Sequence, residues 1–118
     1  MNEELLKLII NCIKNDDMSP FYNKRIWRRK RVDIIRRDHF ECQKCRRKNI
    51  IKILEINAND KYRRAYVHHK KHLKDYPELA LENSNLETLC FNCHEEEHFN
   101  ERHYYKKTKE RFINEERW

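Results

Sequence analysis

The sequence predicts a small α+β domain with a structural four-cysteine zinc site, flanked by N- and C-terminal helices. Three observations support this fold class. Two Cys-x-x-Cys pairs, Cys42 with Cys45 and Cys90 with Cys93, lie far apart in a chain of 118 residues. Between them lie short segments that are rich in β-branched residues and bounded by turn residues, which is typical of strands. Outside them, apolar residues recur at helical spacing.

The length and composition indicate one small domain with a modest core. The chain is 38% hydrophobic and 40% charged, and so short a chain often depends on a metal for stability. No apolar run is long enough to span a membrane. The apolar segment 5–10 is interrupted by Lys7 and follows acidic residues, so it is a poor signal peptide. We therefore expect a cytoplasmic protein, in which paired cysteines bind metal more often than they form disulfides.

The net charge favours a polyanionic partner. The chain has 27 Lys and Arg residues against 20 Asp and Glu residues, which gives a formal charge of +7. Such an excess is typical of proteins that bind nucleic acid. Charge alone is also compatible with a soluble protein that binds no DNA, so we do not infer DNA binding from charge by itself.

Two helices are predicted before the first cysteine pair. Residues 3–14 form an amphipathic helix that could also serve as a dimerisation surface, and its apolar positions are Leu5, Leu6, Ile9, Cys12 and Ile13. Residues 23–38 form a second helix, whose predicted inward residues are Ile26, Trp27, Ile34 and Ile35. From Lys24 to Arg37 this helix carries eight basic residues against one acid, Asp33, so we interpret it as a surface that contacts DNA phosphates. The predicted DNA contacts are Arg28, Arg29 and Arg31, together with Lys70 in a later loop.

The middle of the chain predicts strands, and its last part predicts a helix. Residues 50–56 are β-branched and predicted to be extended, residues 64–68 form a strand that ends at a histidine pair, and residues 86–89 form a return strand. A helical turn is expected within 75–81. From Phe91 a helix carries His94 and His98 and continues as a charged tail towards Trp118.

The two cysteine pairs together supply the four thiolates of a tetrahedral zinc site. The pairs are separated by 44 residues, so the fold must bring them together around the hairpin. With all four positions filled by cysteine, the predicted role is structural. The alternative is four buried free thiols. Cys12 has no such partner and is interpreted as a small apolar residue.

The histidines indicate a second metal centre. His94 and His98 are four residues apart, so on a helix they point to one side and can bind one cation. His68 and His69 are adjacent on an extended segment, so their side chains point to opposite sides. One imidazole can therefore hold a cation while the other takes a proton from an attacking water. The alternative is that His68 and His69 are ordinary polar residues and that His98 is a surface histidine.

Several short motifs follow one another in a familiar order. They are Phe21-Tyr22, Trp27-Arg28, Arg37-Asp38-His39-Phe40-Glu41-Cys42, Val67-His68-His69, Asn85-Leu86, Leu89-Cys90 and Cys93-His94. Over about residues 20–100, the chain resembles HNH endonucleases of the ββα-metal superfamily. It is most similar to the small zinc-containing HNH proteins that bacteriophages and prophages encode.

The resemblance implies a role for each motif residue. It makes His69 the general base and Asn85 the residue that orients the loop carrying that base, with Asn83 as a competitor. It makes His68, His94 and His98 ligands of a catalytic divalent cation. This cation would be Mg²⁺, Mn²⁺, Ni²⁺ or Zn²⁺, and an all-nitrogen ligand set makes a strict Mg²⁺ requirement doubtful.

The function implied by the resemblance is metal-dependent cleavage of double-stranded DNA. Nicking or double-strand cutting with weak sequence preference is expected, by a monomer or dimer. The expected setting is phage DNA processing beside terminase and portal proteins in a bacterial host. Alternatives are a non-catalytic zinc-stabilised nucleic-acid-binding module and a restriction-type or homing nuclease. The expected organisation is a helical extension at 1–19, the nuclease domain at 20–104 and a charged helical tail at 105–118.

Overall fold

The computed structural model describes residues 2–100, which contain five helices and a two-stranded sheet. The helices are α1 (Glu3–Lys14), α2 (Ser19–Tyr22), α3 (Arg25–Arg37), α4 (Gln43–Arg47) and α5, which covers 91–100. The strands are β1 (Tyr66–His69) and β2 (Leu86–Leu89), with 3-10 turns at Pro77–Leu79 and Asn83–Asn85 between them. The predicted tail at 105–118 lies outside the described residues. Within 2–100, no helix is both long and apolar enough to cross a bilayer.

Strands β1 and β2 form an antiparallel hairpin that closes a long loop. Tyr66 is opposite Leu89 and His68 is opposite Glu87. Because side chains alternate across a strand, His68 and Glu87 share one face of the hairpin, and His69 belongs to the other. The return strand at 86–89 and the turn expected within 75–81 are confirmed.

Helix α1 has the bounds that the sequence predicts, and its ends explain them. The Asn2 side chain caps the helix by accepting from the Leu5 amide at 3.0 Å, and two acidic residues in the first turn suit the helix dipole. Its apolar face packs into the chain's own core, where Ile9 and Cys12 are buried. This part of the face is therefore covered within one chain, and dimerisation through the helix stays a prediction.

Two apolar clusters form the core on either side of α3. The first lies between α1, α2, α3 and the hairpin and contains Ile9, Cys12, Phe21, Trp27, Ile34, Leu73, Ala80 and Leu86. The second surrounds the paired cysteines and contains Ile35, Leu54, Ala65, Leu89, Cys42, Cys90 and Cys93. Helix α3 contributes to both, so it fixes the hairpin relative to the cysteine pairs.

The C-terminal end of α3 is tied to β2 by polar contacts. Asp38 is buried, and its Oδ2 accepts from the Thr88 amide at 2.9 Å. Arg37 pairs with Asp38 at 3.0 Å and donates to the Leu86 carbonyl at 2.6 Å. The ion pair offsets the cost of burying the carboxylate, so β2 is held in register against the helix.

Two predictions about the elements were wrong in part. The helix predicted at 23–38 is present as α3 (Arg25–Arg37), but Ile26 is 48% exposed rather than inward. It lies about 100° around the helix from Trp27, outside the buried stripe. The segment 50–56 forms only isolated bridges, Glu41 with Ile53 and Glu55 with Arg64. Ile51 is 77% exposed, because no strand lies alongside to bury the β-branched residues.

Candidate active site

The fold brings the two cysteine pairs together at one end of the hairpin. Cys42 is the N-cap of α4, where its Sγ accepts from the Cys45 amide at 3.5 Å. Cys90 directly follows β2, and Cys93 lies in the first turn of α5. The four Sγ atoms all lie within 4.8 Å of one another.

The spacing of these sulfurs fits a tetrahedral metal. The Sγ of Cys45 lies 3.9 Å from that of Cys90 and 3.7 Å from that of Cys93. Four sulfurs at about 2.3 Å from one zinc ion are about 3.8 Å apart. Burial raises the pKa of Cys45 to about 11 and also raises the pKa of Cys93. Thiolates in such a site require a cation, so the donor set is suited to a structural metal.

A second cluster contains His68 from β1 together with His94 and His98 from α5. One ring nitrogen of each lies within 4.8 Å of the others, and the His94 and His98 ring centroids are 4.2 Å apart. The His94 ring also stacks on Tyr66 at 5.1 Å. Burial lowers the pKa of His68 and lowers that of His94 to about 4. Both rings are therefore neutral near pH 7, which is the form that binds a metal.

His69 stands beside this cluster but is held by different contacts. Its ring stacks on Trp27 with centroids 5.1 Å apart and an interplanar angle of 20°. Its Nε2 lies 3.0 Å from the carbonyl oxygen of Ala80. A carbonyl can only accept, so Nε2 carries the proton and Nδ1 keeps its lone pair. Burial lowers the pKa of His69 to about 4, which keeps the ring neutral.

Asn85 holds both ends of the loop that surrounds His69. Its Oδ1 accepts from the Lys71 amide at 2.7 Å. Its Nδ2 donates to the carbonyls of Lys71 and Leu79, each at 3.3 Å. Lys71 lies two residues after His69, and Leu79 directly precedes Ala80, whose carbonyl contacts the His69 ring. This one buried side chain therefore connects the two backbone segments that hold His69. By contrast, the Asn83 side chain accepts from Lys30 at the surface, at 2.7 Å.

A cavity of about 400 Å³ lies against the histidines. Although His68 and His69 leave the strand on opposite sides, both line this cavity together with His94 and His98. His72 also lines it, and the sequence arguments did not single out this residue. Its position just after the histidine pair was the available signal, but a loop histidine alone does not indicate a site.

The predicted phosphate contacts differ in how the fold uses them. The side chains of Arg28, Arg29 and Lys70 belong to exposed residues. Arg31 is part-buried, and its Nη2 donates to the carbonyls of Ile56 at 2.7 Å and Ala65 at 2.9 Å. These hydrogen bonds connect α3 to the backbone at Ile56 and Ala65, so Arg31 has a structural role. Its contact with DNA stays a prediction.

Comparison with known proteins identifies a family and a similar solved structure. The HNH endonuclease family model matches residues 42–100, half of the chain. The crystal structure of an HNH endonuclease from the deep-sea thermophilic bacteriophage GVE2, with manganese ion, is similar with a TM-score of 0.63 and 25% identity. The match covers 89% of this chain and 99% of that one. No curated protein sequence matches significantly.

Proposed function

The chain belongs to the HNH endonuclease family and is therefore a nuclease that hydrolyses DNA. We propose that it nicks or cuts double-stranded DNA with weak sequence preference. In this proposal His69 is the general base and Asn85 positions it. A divalent cation is held by His68, His94 and His98, and zinc occupies the four-cysteine site.

The observation that carries the proposal is the hydrogen bond from His69 to the Ala80 carbonyl. It fixes the proton on Nε2 and leaves Nδ1 free to accept one, and the ring is neutral near pH 7. His69 can therefore take a proton from a water molecule that attacks phosphorus. Stacking on Trp27 keeps the ring from rotating, so the acceptor nitrogen has a fixed direction.

The histidine cluster supports the proposed cation site. Its three imidazoles suit Mn²⁺, Ni²⁺ or Zn²⁺ better than Mg²⁺, and the similar phage structure contains manganese. When bound, a divalent cation stabilises the charge that develops on the phosphate and on the departing 3′-oxygen. The products would be 5′-phosphate and 3′-hydroxyl ends.

Arg28 and Arg29 on α3 and Lys70 after β1 are the proposed phosphate contacts. They are exposed and positively charged, and phosphate contacts of this kind provide affinity but little sequence information. This supports weak sequence preference over a restriction-type or homing nuclease. Digestion of a plasmid should give a smear, and discrete fragments would contradict this part of the proposal.

We assign the catalytic domain to residues 20–104, with 1–19 as an extension packed on it. We place the protein in phage DNA processing in the cytoplasm of a bacterial host, beside terminase and portal proteins. Likeness to a bacteriophage enzyme supports this setting. Nicking that accelerates when the phage's own terminase is added would agree with it, and an unchanged rate would contradict the partnership.

A supercoiled-plasmid assay tests the proposed function. Protein with zinc in the four-cysteine site is stripped of other cations, and Mg²⁺, Mn²⁺, Ni²⁺ and Zn²⁺ are added back singly. His69→Asn should abolish relaxed and linear product. His39→Asn is the matched control, because His39 is exposed and its backbone has φ of 57°, which asparagine tolerates. Equal cleavage by both variants would remove His69 from the mechanism.

A further inference from the structure

Glu87 is a buried carboxylate beside a proposed cation ligand. It lies directly opposite His68 in the hairpin and is only 8% exposed. Residues opposite each other in an antiparallel pair have Cβ atoms about 4.5–5.5 Å apart and share one face. Burying a carboxylate in such a position costs free energy unless the carboxylate is paired with an opposite charge. Glu87 therefore requires a basic partner.

Arg47 is the partner of Glu87. Its Nη1 lies 2.9 Å from Oε2 and its Nη2 lies 3.5 Å from Oε1, so the guanidinium contacts both carboxylate oxygens. This two-point contact fixes the direction of the carboxylate as well as its place. The Arg47 side chain is 60% exposed while that of Glu87 is 10% exposed. The arginine therefore reaches in from the surface to hold a buried acid.

The helix that carries Arg47 also contacts the other element of the histidine cluster. Arg47 lies two residues after Cys45 on α4, so the four-cysteine site anchors it. From the same helix, Lys44 pairs with Glu96 at 3.0 Å and with Glu97 at 2.8 Å on α5. Helix α4 is thus bound both to the hairpin with His68 and to the helix with His94 and His98.

We propose that Arg47 and Glu87 are a positioning pair for His68, in which Arg47 holds the carboxylate that sets the orientation of the imidazole towards the cation site. The inference rests on the proposed role of His68 as a cation ligand. Carboxylates beside metal-binding histidines fix ring orientation and contribute to metal affinity. This pair could not be predicted from residue spacing, because Glu87 lies opposite His68 only through the strand register.

Mn²⁺ affinity tests the proposal without relying on cleavage. Free Mn²⁺ is measured by electron paramagnetic resonance during titration of zinc-loaded protein, for wild type, Glu87→Gln and Arg47→Gln. Both substitutions should weaken Mn²⁺ binding by about 10-fold or more. Glu55→Gln is the matched control, because Glu55 forms an exposed ion pair with Arg63 at 3.2 Å, and its Mn²⁺ affinity should stay that of wild type.

Arg47→Gln separates positioning from simple charge. If Glu87 acted only through its charge, removing the nearby arginine would leave Mn²⁺ binding unchanged or make it tighter, and that result would overturn the proposal. If Glu87→Gln does not fold, Glu87→Asp keeps the charge but shortens the side chain. Weaker binding by Glu87→Asp supports positioning, and wild-type affinity contradicts it. Zinc content and thermal midpoint are measured for every variant.

His68→Ala distinguishes failure of this inference from failure of the proposed function. If Mn²⁺ binds the wild type but does not depend on His68, the proposed cation site itself is wrong. If binding depends on His68 but the Glu87 and Arg47 variants bind as tightly as wild type, only the positioning pair is refuted.

Discussion

Replacing Asn85 with alanine should damage both stability and cleavage. Asn85 is 5% exposed, and its three side-chain hydrogen bonds join the Lys71 peptide to the Leu79 carbonyl. Alanine would leave the Lys71 amide and two carbonyls without these partners. The loop that follows His69 would lose the side chain that connects its Lys71 end to Leu79.

The magnitude follows from the number and burial of these bonds. At a net of about 0.5–1.5 kcal/mol each, three bonds contribute about 1.5–4.5 kcal/mol. That is a large share of the roughly 5–15 kcal/mol by which such domains are stable. Release of the Leu79 carbonyl would also loosen the adjacent Ala80, whose carbonyl holds the His69 ring. A displacement of about 1 Å at a reacting group can slow chemistry by about 100-fold.

Urea unfolding and plasmid nicking measure the two effects, with Asn83→Ala as the matched control. Asn83 lies two residues away on the same turn, but its side chain contacts Lys30 at the surface. We expect this control to nick DNA normally and to lose less than about 1 kcal/mol of unfolding free energy. If Asn85→Ala costs no more than Asn83→Ala and still nicks DNA, the reasoning about the loop is refuted.

Three further predictions concern the proposed zinc site, the proposed phosphate contacts and the exposed segment 50–56. Cys45→Ser should lose zinc and at least about 3 kcal/mol of unfolding free energy, measured by metal content and urea titration, because zinc binding contributes to folding. Arg28→Gln and Arg29→Gln should each lower the slope of log affinity against log salt by about one, measured by fluorescence anisotropy. Ile51→Ser should change the unfolding free energy by less than about 0.5 kcal/mol, because Ile51 is 77% exposed.

Short-range patterns predicted the parts of the fold that depend on short-range spacing. Two Cys-x-x-Cys pairs and a His-x-x-x-His helix indicated two clusters, and the structure brings both sets of side chains together. The bounds of α1 were also predictable, because a cap residue and an apolar stripe define them within the helix itself.

The segment 50–56 shows where such patterns fail. Its β-branched residues predicted an extended strand, but a strand needs a neighbour, and neighbours are decided by the whole fold. Glu55 instead meets Arg64 in an isolated bridge, and β1 begins later than predicted, at Tyr66.

The surroundings of the histidines could not be predicted for the same reason. Glu87 lies opposite His68 because of the strand register. The hydrogen bond from His69 to the Ala80 carbonyl depends on the conformation of the loop between the strands. Arg31 looked like one more phosphate contact, yet it donates to two backbone carbonyls far along the chain. Spacing in the sequence indicates which residues can act together, but it does not give their partners.

The single-turnover cleavage rate of His69→Asn at saturating Mn²⁺ tests the central claim most directly. DNA affinity and Mn²⁺ affinity are measured on the same samples, so that a loss of binding is not mistaken for a loss of chemistry. We predict a rate about 10²–10⁴-fold below that of wild type, with both affinities unchanged, as expected when a general base is removed. A rate close to that of wild type would show that His69 is not the base.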